Sequence, residues 1–501
     1  MSSPVSRRLT QAMAAEVQNF IYRPRLTQEI ASSFDHVVDI NQAHTIMLAE
    51  QQIIAPATAA SLAQALISIE REGSASVHAD PAREDVHYNF EAALIERTSP
   101  QIGGGLHVGR SRNDMGATID RMRARAACLE LRAELNRVRT VLLQQAHLHA
   151  GTVMSGYTHL RPAQPVTFGF YLLGIAGALQ RDYRRLSNAY ETINMSPMGA
   201  AALAGTSFAI DRERVAALLG FQTLVEHAQD AVASRDFLLE LGSACVTLGI
   251  TWSRLAQDLY VWSTDEFGLV AFSDQVSGSS SIMPQKKNPV VMEFLKATGA
   301  ENIGSLVSAL SMMRASHFTN SIDAVRSSTA GVWQLLDTTY RSLAITRVML
   351  DSCRPDRERM FQQARSNFST ITDVADLLVK QCELAFREAH HVAGTAVRIA
   401  LERGLDASQI GAEILENAAE IALGRKLAIP PDLTSSCSDP NASIRQRKSR
   451  GAASPSEIAR MQVAALDVLS LDDHQLQTQT RALEEARGGL KQAIGALALR
   501  T

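Results

Sequence analysis

The chain has 501 residues, a formal net charge of −3 and 5% aromatic side chains. That length allows two or three domains or one elongated one, and the near-neutral charge gives no reason to expect nucleic acid or an anionic membrane as the main partner. Few aromatics beside abundant alanine and leucine favour helix over sheet. Cys128, Cys245, Cys353, Cys382 and Cys437 are scattered and odd in number, with no CxxC or Cys/His metal spacing, which suits free thiols in a reducing compartment. With no signal-like apolar segment and no apolar run of membrane-spanning length, a soluble cytoplasmic protein is expected.

Residues 1 to about 112 mix short helical patterns with polar breaks. Within them, Glu84-Asp85-Val86-His87-Tyr88-Asn89-Phe90-Glu91 places His87 and Glu91 four apart, on one face of a helix. An ordinary salt-bridged helix start accounts for that spacing equally well. Next, Gly103-Gly104-Gly105-Leu106-His107-Val108-Gly109-Arg110-Ser111-Arg112-Asn113-Asp114 is a glycine-rich stretch ending in a polar cluster. Its glycines let backbone approach a ligand, and Arg110 and Arg112 can grip carboxylates in a bidentate fork.

From Ile119 the residues Met122, Ala126 and Leu129 form one helical stripe, and Leu131, Leu135, Val138 and Leu142 a second. A helix of ~30 residues spans about 45 Å and needs bundle partners. Ser155 to Pro165 breaks the pattern, with Thr158 and His159 at the break, and a second long apolar pattern runs from Val166. Ser196 to Phe208 is a small-residue connection. A third long helix is predicted over about Ser234 to Ser263, with further helices from Pro289 to about Leu310 and from about Gly331 to Leu350. After Pro355 the patterns shorten.

Between the third and fourth long helices lies Ser277-Gly278-Ser279-Ser280-Ser281-Ile282-Met283-Pro284-Gln285-Lys286-Lys287-Asn288-Pro289. A mobile hydroxyl cluster is followed by two cations and then by Asn288 at a predicted helix cap, with Pro289 as first helical residue. Such a loop suits a carboxylate-bearing ligand and the negative charge that develops when a proton leaves carbon. Polar clusters at 107–114, 156–165 and 277–289 fall at breaks between long helices, so clusters at opposite bundle ends lie tens of ångströms apart and call for partner chains.

The 277–289 stretch resembles the signature loop of the fumarase/aspartase superfamily, and its Ser-Ile-Met-Pro-Gln-Lys-Lys-Asn-Pro core is most similar to the argininosuccinate lyase branch. The His107-to-Asp114, Gly156-to-Pro165 and Glu84-to-His87 spellings are similar to the same family. The resemblance implies an all-α, three-domain fold with a central long-helix bundle, divided at 1–112, 113–355 and 356–501. It also implies a homotetramer with active sites shared between chains, a small dicarboxylate or amino-acid substrate, and no metal or organic cofactor. By register, Ser280 falls at the catalytic-base position and His159 would assist proton transfer near the leaving nitrogen. Lys286 and Asn288 would hold the substrate carboxylate and carbanion, Arg112 and Asn113 the succinyl or amine portion, and Thr158 a carboxylate. Ser111 and Ser281 are further candidates for substrate binding.

The sequence departs from the family at Val290, where an Asp is usual, and at Asn320, Val325 and Ser328, where Tyr, Gln and Lys are usual. Ala31 also replaces a frequent Ser. Losing a cation and two hydrogen-bonding side chains should weaken binding of a charged substrate at about 1.5–3 kcal/mol for each charged hydrogen bond. Either Arg326 replaces the missing lysine or the leaving group differs. The expected activity is carbon–nitrogen lysis of an N-substituted aspartate, argininosuccinate in arginine biosynthesis or a related amine–succinate adduct, giving fumarate and an amine. The alternative is a catalytically silent homologue with a structural or binding role.

Overall fold

The computed structural model describes residues 8–430, 433–434 and 439–500; Cys437 lies outside them. The expected all-α fold is observed, and among the described residues strands are confined to three two-stranded pairs. The N-terminal helices are α1 (Arg23–Glu50), α2 (Pro56–Glu72) and α3 (Val86–Arg97). The bundle comprises α4 (Arg112–Leu148), α5 (Phe168–Ile193), α6 (Asp236–Trp262), α7 (Val290–Arg314) and α8 (Ala330–Ser352). Shorter helices follow, α9 (Ile371–Cys382), α10 (Phe386–Glu402) and α11 (Ala412–Leu423), before a final α12 (Pro455–Ala498).

Helix α4 starts seven residues before the first apolar stripe because Ser111 caps it. The Ser111 hydroxyl accepts the Asn113 N–H at 3.3 Å, and the Ser111 N–H donates to Asp114 Oδ1 at 2.9 Å. The bundle alternates in direction, and its polar pairs record the register. The Cys128 thiol donates to the Leu186 carbonyl, Thr251 to Asp182, the Trp252 indole to the Leu295 carbonyl, Asn302 to Thr339, and Arg347 to Glu134. One bundle end, termed proximal, carries the start of α4 and the 315–329 connection. The distal end carries the turns after α4 and α6.

The break after α4 is a β-hairpin, β1 (Val153–Thr158) against β2 (Arg161–Thr167). Its turn residues His159 and Leu160 both adopt φ 54°, the handedness that suits a two-residue hairpin turn. The 277–289 loop is closed at its base, where Gly278 and Asn288 exchange backbone hydrogen bonds of 2.8 and 2.7 Å. Because Asn288 is committed there and donates its side-chain amide to the Ser279 carbonyl at 3.0 Å, it does not cap α7. The predicted start at Pro289 is thus displaced, and α7 begins at Val290.

Three large apolar cores organise the described residues. The bundle core includes Leu135, Tyr183, Leu248, Trp252, Leu295 and Leu343, together with Ile458, Leu469 and Leu476 of α12. A proximal core joins α1–α3 to Met115, Ile119 and Met122 of α4 and to Leu490, Ile494 and Leu497 of α12. A third core is built from α9–α11 and reaches Leu433. Helix α12 leaves the C-terminal helices and packs into the other two cores. Asn136 and Arg139 on α4 hold it in register through Asp473 and Asp472, each at 2.6 Å.

Candidate active site

At the proximal end, Asp85 fixes the start of α3 by accepting the His87 and Tyr88 N–H groups on Oδ1 at 3.1 and 3.2 Å. Its other oxygen accepts from Arg112 Nη1 at 2.9 Å, and Glu84 accepts from the same nitrogen at 2.8 Å. The Arg112 guanidinium also lies over the Tyr88 ring, 4.3 Å from its centre. Burial opposes the charge of Arg112, but Asp85 and Glu84 outweigh it and hold its pKa above the usual value. Arg112 is thus a pre-positioned cation with one face committed to carboxylates.

Arg112 and Asn113 open onto a cavity of about 570 Å³. Its other walls come from the α1 side, with Arg25, Glu29, Ser32 and Ser33, and from the α7–α8 connection and α8, with Asn320, Val325, Arg326 and Trp333. The structure thus gathers Arg112, Asn113 and Arg326 as candidate ligand contacts. Ser111 is not in the cavity wall, since its hydroxyl is the helix cap. Ser328 is also absent from the wall; it is buried and its hydroxyl donates to the Ala324 carbonyl at 2.5 Å.

The remaining candidates lie at the distal end. Thr158 and His159 are exposed at the hairpin tip, and the hairpin rests against the C-terminal segment through Asn367 to Ser155 at 2.7 Å and Gln164 to Thr372 at 3.2 Å. In the loop, Ser280 Oγ accepts the Met283 N–H at 3.0 Å, Lys287 pairs with Asp274 at 2.5 Å, and Ser281 and Lys286 face solvent. None of these residues lines the proximal cavity. The 37 residues of α4 separate the two ends by about 55 Å. A single chain does not unite Ser280 or His159 with Arg112.

Behind Arg112 lies a buried polar group. His87 is 8% exposed, its Nδ1 has no partner among the described residues, and burial lowers its pKa to about 4 against the opposing pull of Asp85. Arg110, pushed down to about 10 by burial, donates to Asn41 at 2.8 Å and leaves Nε and Nη1 without partners among the described residues. Asp114, raised to about 6 by burial, accepts the Gly199 and Ala201 N–H groups and so anchors the 199–201 turn to α4. Hydrophobic periodicity does not single out Arg25, Glu29, Arg123 or Trp333. The Arg25/Glu29 spacing signals a helical ion pair, realised at 2.6 Å, but nothing local in sequence brings Arg123 to the Trp333 ring at 4.1 Å.

The described residues thus form a five-helix antiparallel bundle with a serine-rich loop and a hairpin at one end and an arginine-lined cavity at the other. A family model described as lyase matches residues 8–304, and one described as argininosuccinate lyase C-terminal matches 368–444. Argininosuccinate lyase 1 of Shouchella clausii is 36% identical over 96% of this chain and 96% of its own length. The argininosuccinate lyase of Methanothermobacter thermautotrophicus is 36% identical over 91% and 96%. The solved structure of EDDS lyase in complex with formate superposes with a TM-score of 0.87 at 30% identity, covering 98% of this chain and 97% of that one. The chain belongs to the argininosuccinate lyase family of the fumarase/aspartase superfamily, and it is a carbon–nitrogen lyase.

Proposed function

We propose that the protein cleaves an N-substituted aspartate to fumarate and a free amine, with each active site assembled from more than one chain of a homotetramer. The observation that carries the assembly is the separation of Ser280 and His159 from Arg112 by the length of α4. A second feature supports it. Helix α7 exposes Ile303, Val307 and Leu310, a helical stripe of apolar side chains left to solvent in the single chain. Packing copies of the bundle along such faces would bring distal loops of one chain over the proximal cavity of another.

In this reading Ser280 takes the proton from the carbon beside a carboxylate, and Lys286 and Asn288 stabilise the dianion that results. The electron pair then forms the alkene as the neighbouring C–N bond breaks. His159 delivers a proton near the departing nitrogen, and Thr158, Arg112 and Asn113 hold the substrate. Ser281 contributes from the loop, and Arg326 faces the amine portion. Argininosuccinate is the first substrate to test, followed by other amino-acid and diamine adducts.

The test is fumarate release from argininosuccinate, then fumarate consumption with a panel of amines, beside Ser280→Ala. Removing a positioned base should lower turnover about 10²–10⁴-fold. Turnover that survives in Ser280→Ala would remove Ser280 from its role, and no turnover across the panel would return weight to the catalytically silent reading.

A further inference from the structure

The charges around the proximal cavity are unevenly matched. Arg25 is paired with Glu29 at 2.6 Å, Arg235 with Asp120 at 2.8 Å, and Arg112 with Glu84 and Asp85. The two remaining guanidinium groups in the wall, Arg123 and Arg326, make no hydrogen bond or ion pair among the described residues. The Arg123 guanidinium lies over the Trp333 ring, 4.1 Å from its centre, a contact that leaves its N–H donors unsatisfied. Glu29 Oε2 is out of solvent contact and without a partner among the described residues, and Asp120 keeps one oxygen beside the Oδ2 that pairs with Arg235. Five arginines therefore line a space with two carboxylates, each paired to one of them.

We infer that the leaving amine is an acidic amino acid, whose two carboxylates are received by Arg326 and Arg123. This inference rests on the proposed elimination to fumarate. A guanidinium binds a carboxylate through two parallel N–H bonds, so two uncommitted guanidinium groups match an amine bearing two carboxylates. A diamine or guanidine tail would instead place a cation among unpaired cations. The departures from the family fit this picture. Val325 takes a hydrogen-bonding side chain out of the wall, Ser328 is turned away, and Arg326 introduces a planar cation in the same connection.

Glutamate and glutamine are near-isosteric and differ in one charge, so the test compares their rates of addition to fumarate, with arginine and putrescine alongside. Glutamate should exceed glutamine by roughly 10- to 100-fold in kcat/KM. Arg326→Gln and Arg123→Gln should each shrink that ratio, and Arg326→Lys should restore part of it. Equal use of glutamate and glutamine, better use of arginine or putrescine, or a ratio unchanged in both Gln variants would overturn the inference while leaving elimination intact. Failure of every amine would end both readings.

Discussion

Lys491 Nζ lies 2.7 Å from Asp39 Oδ1, tying the final helix to the first long one. The same ammonium is 2.7 Å from Glu70 Oε1 and 2.9 Å from Gln42 Oε1, so one cation gathers α1, α2 and α12. Burial tends to raise the Glu70 carboxyl, but hydrogen bonds from Lys491 and Gln42 prevail and lower it. A lowered carboxylate adds stability that is complete above its unfolded pKa and is lost as pH falls through the folded value. Lys491→Met should therefore destabilise the protein by about 1–2 kcal/mol at pH 7. The deficit in denaturant midpoint should narrow below the usual carboxylate range, and an equal deficit at both pH values would contradict this account.

The buried His87 makes a second pH dependence with a different window. Burial sets its folded pKa at about 4, below the ordinary imidazole value of 6.5, so the unfolded chain binds the extra proton between those values. Stability should then decline as pH falls from 6.5 towards 4, by up to about 3 kcal/mol. His87→Gln should flatten that part of the profile in a chemical-denaturation series. A slope identical to the parent would assign the acid sensitivity elsewhere.

Separation of the two bundle ends predicts complementation. His159→Asn and Arg112→Met should each be inactive as pure proteins. When equal amounts are unfolded together and refolded, about a quarter of the sites would draw both residues from unmutated positions. Recovery of fumarate production near that fraction is expected, and a mixture as inactive as its components would place both residues in sites of a single chain.

Leu160 is 62% exposed and sits at φ 54° in the hairpin turn, so its side chain adds left-handed strain without burying much surface. Leu160→Gly should raise stability by about 1 kcal/mol, read as an increase in thermal midpoint. A fall would mean that the leucine makes contacts outside the single chain.

The long helices were legible because their stripes repeat over many turns, as at Ile119 to Leu142, where local pattern and final packing agree. The distal hairpin was not, because Gly156, Pro162 and Pro165 read as breakers and its pairing depends on two turn residues that seldom take positive φ. Asn288-Pro289 carried a sound helix-start signal that lost to the closure of the loop on Gly278. The motif residues of the site were readable one cluster at a time, and their division between opposite ends followed from helix length. The orientation of Ser328 was not readable, since its hydroxyl turns back on the Ala324 carbonyl within a local helical turn, nor was the contact of Arg123 with Trp333, which arises from packing between α4 and α8.

The path of α12 also bears on how the protein is made. During synthesis, α1 to α3 leave the ribosome hundreds of residues before Leu490, Ile494 and Leu497, which complete their core. Until then that early layer carries an open apolar seam and the unshielded Asp39, so it remains a client for chaperones. The turns that carry Leu490 to Leu497 act as a latch that closes this early layer, and a ribosome stalling before them would release a product already large, mostly helical and sticky.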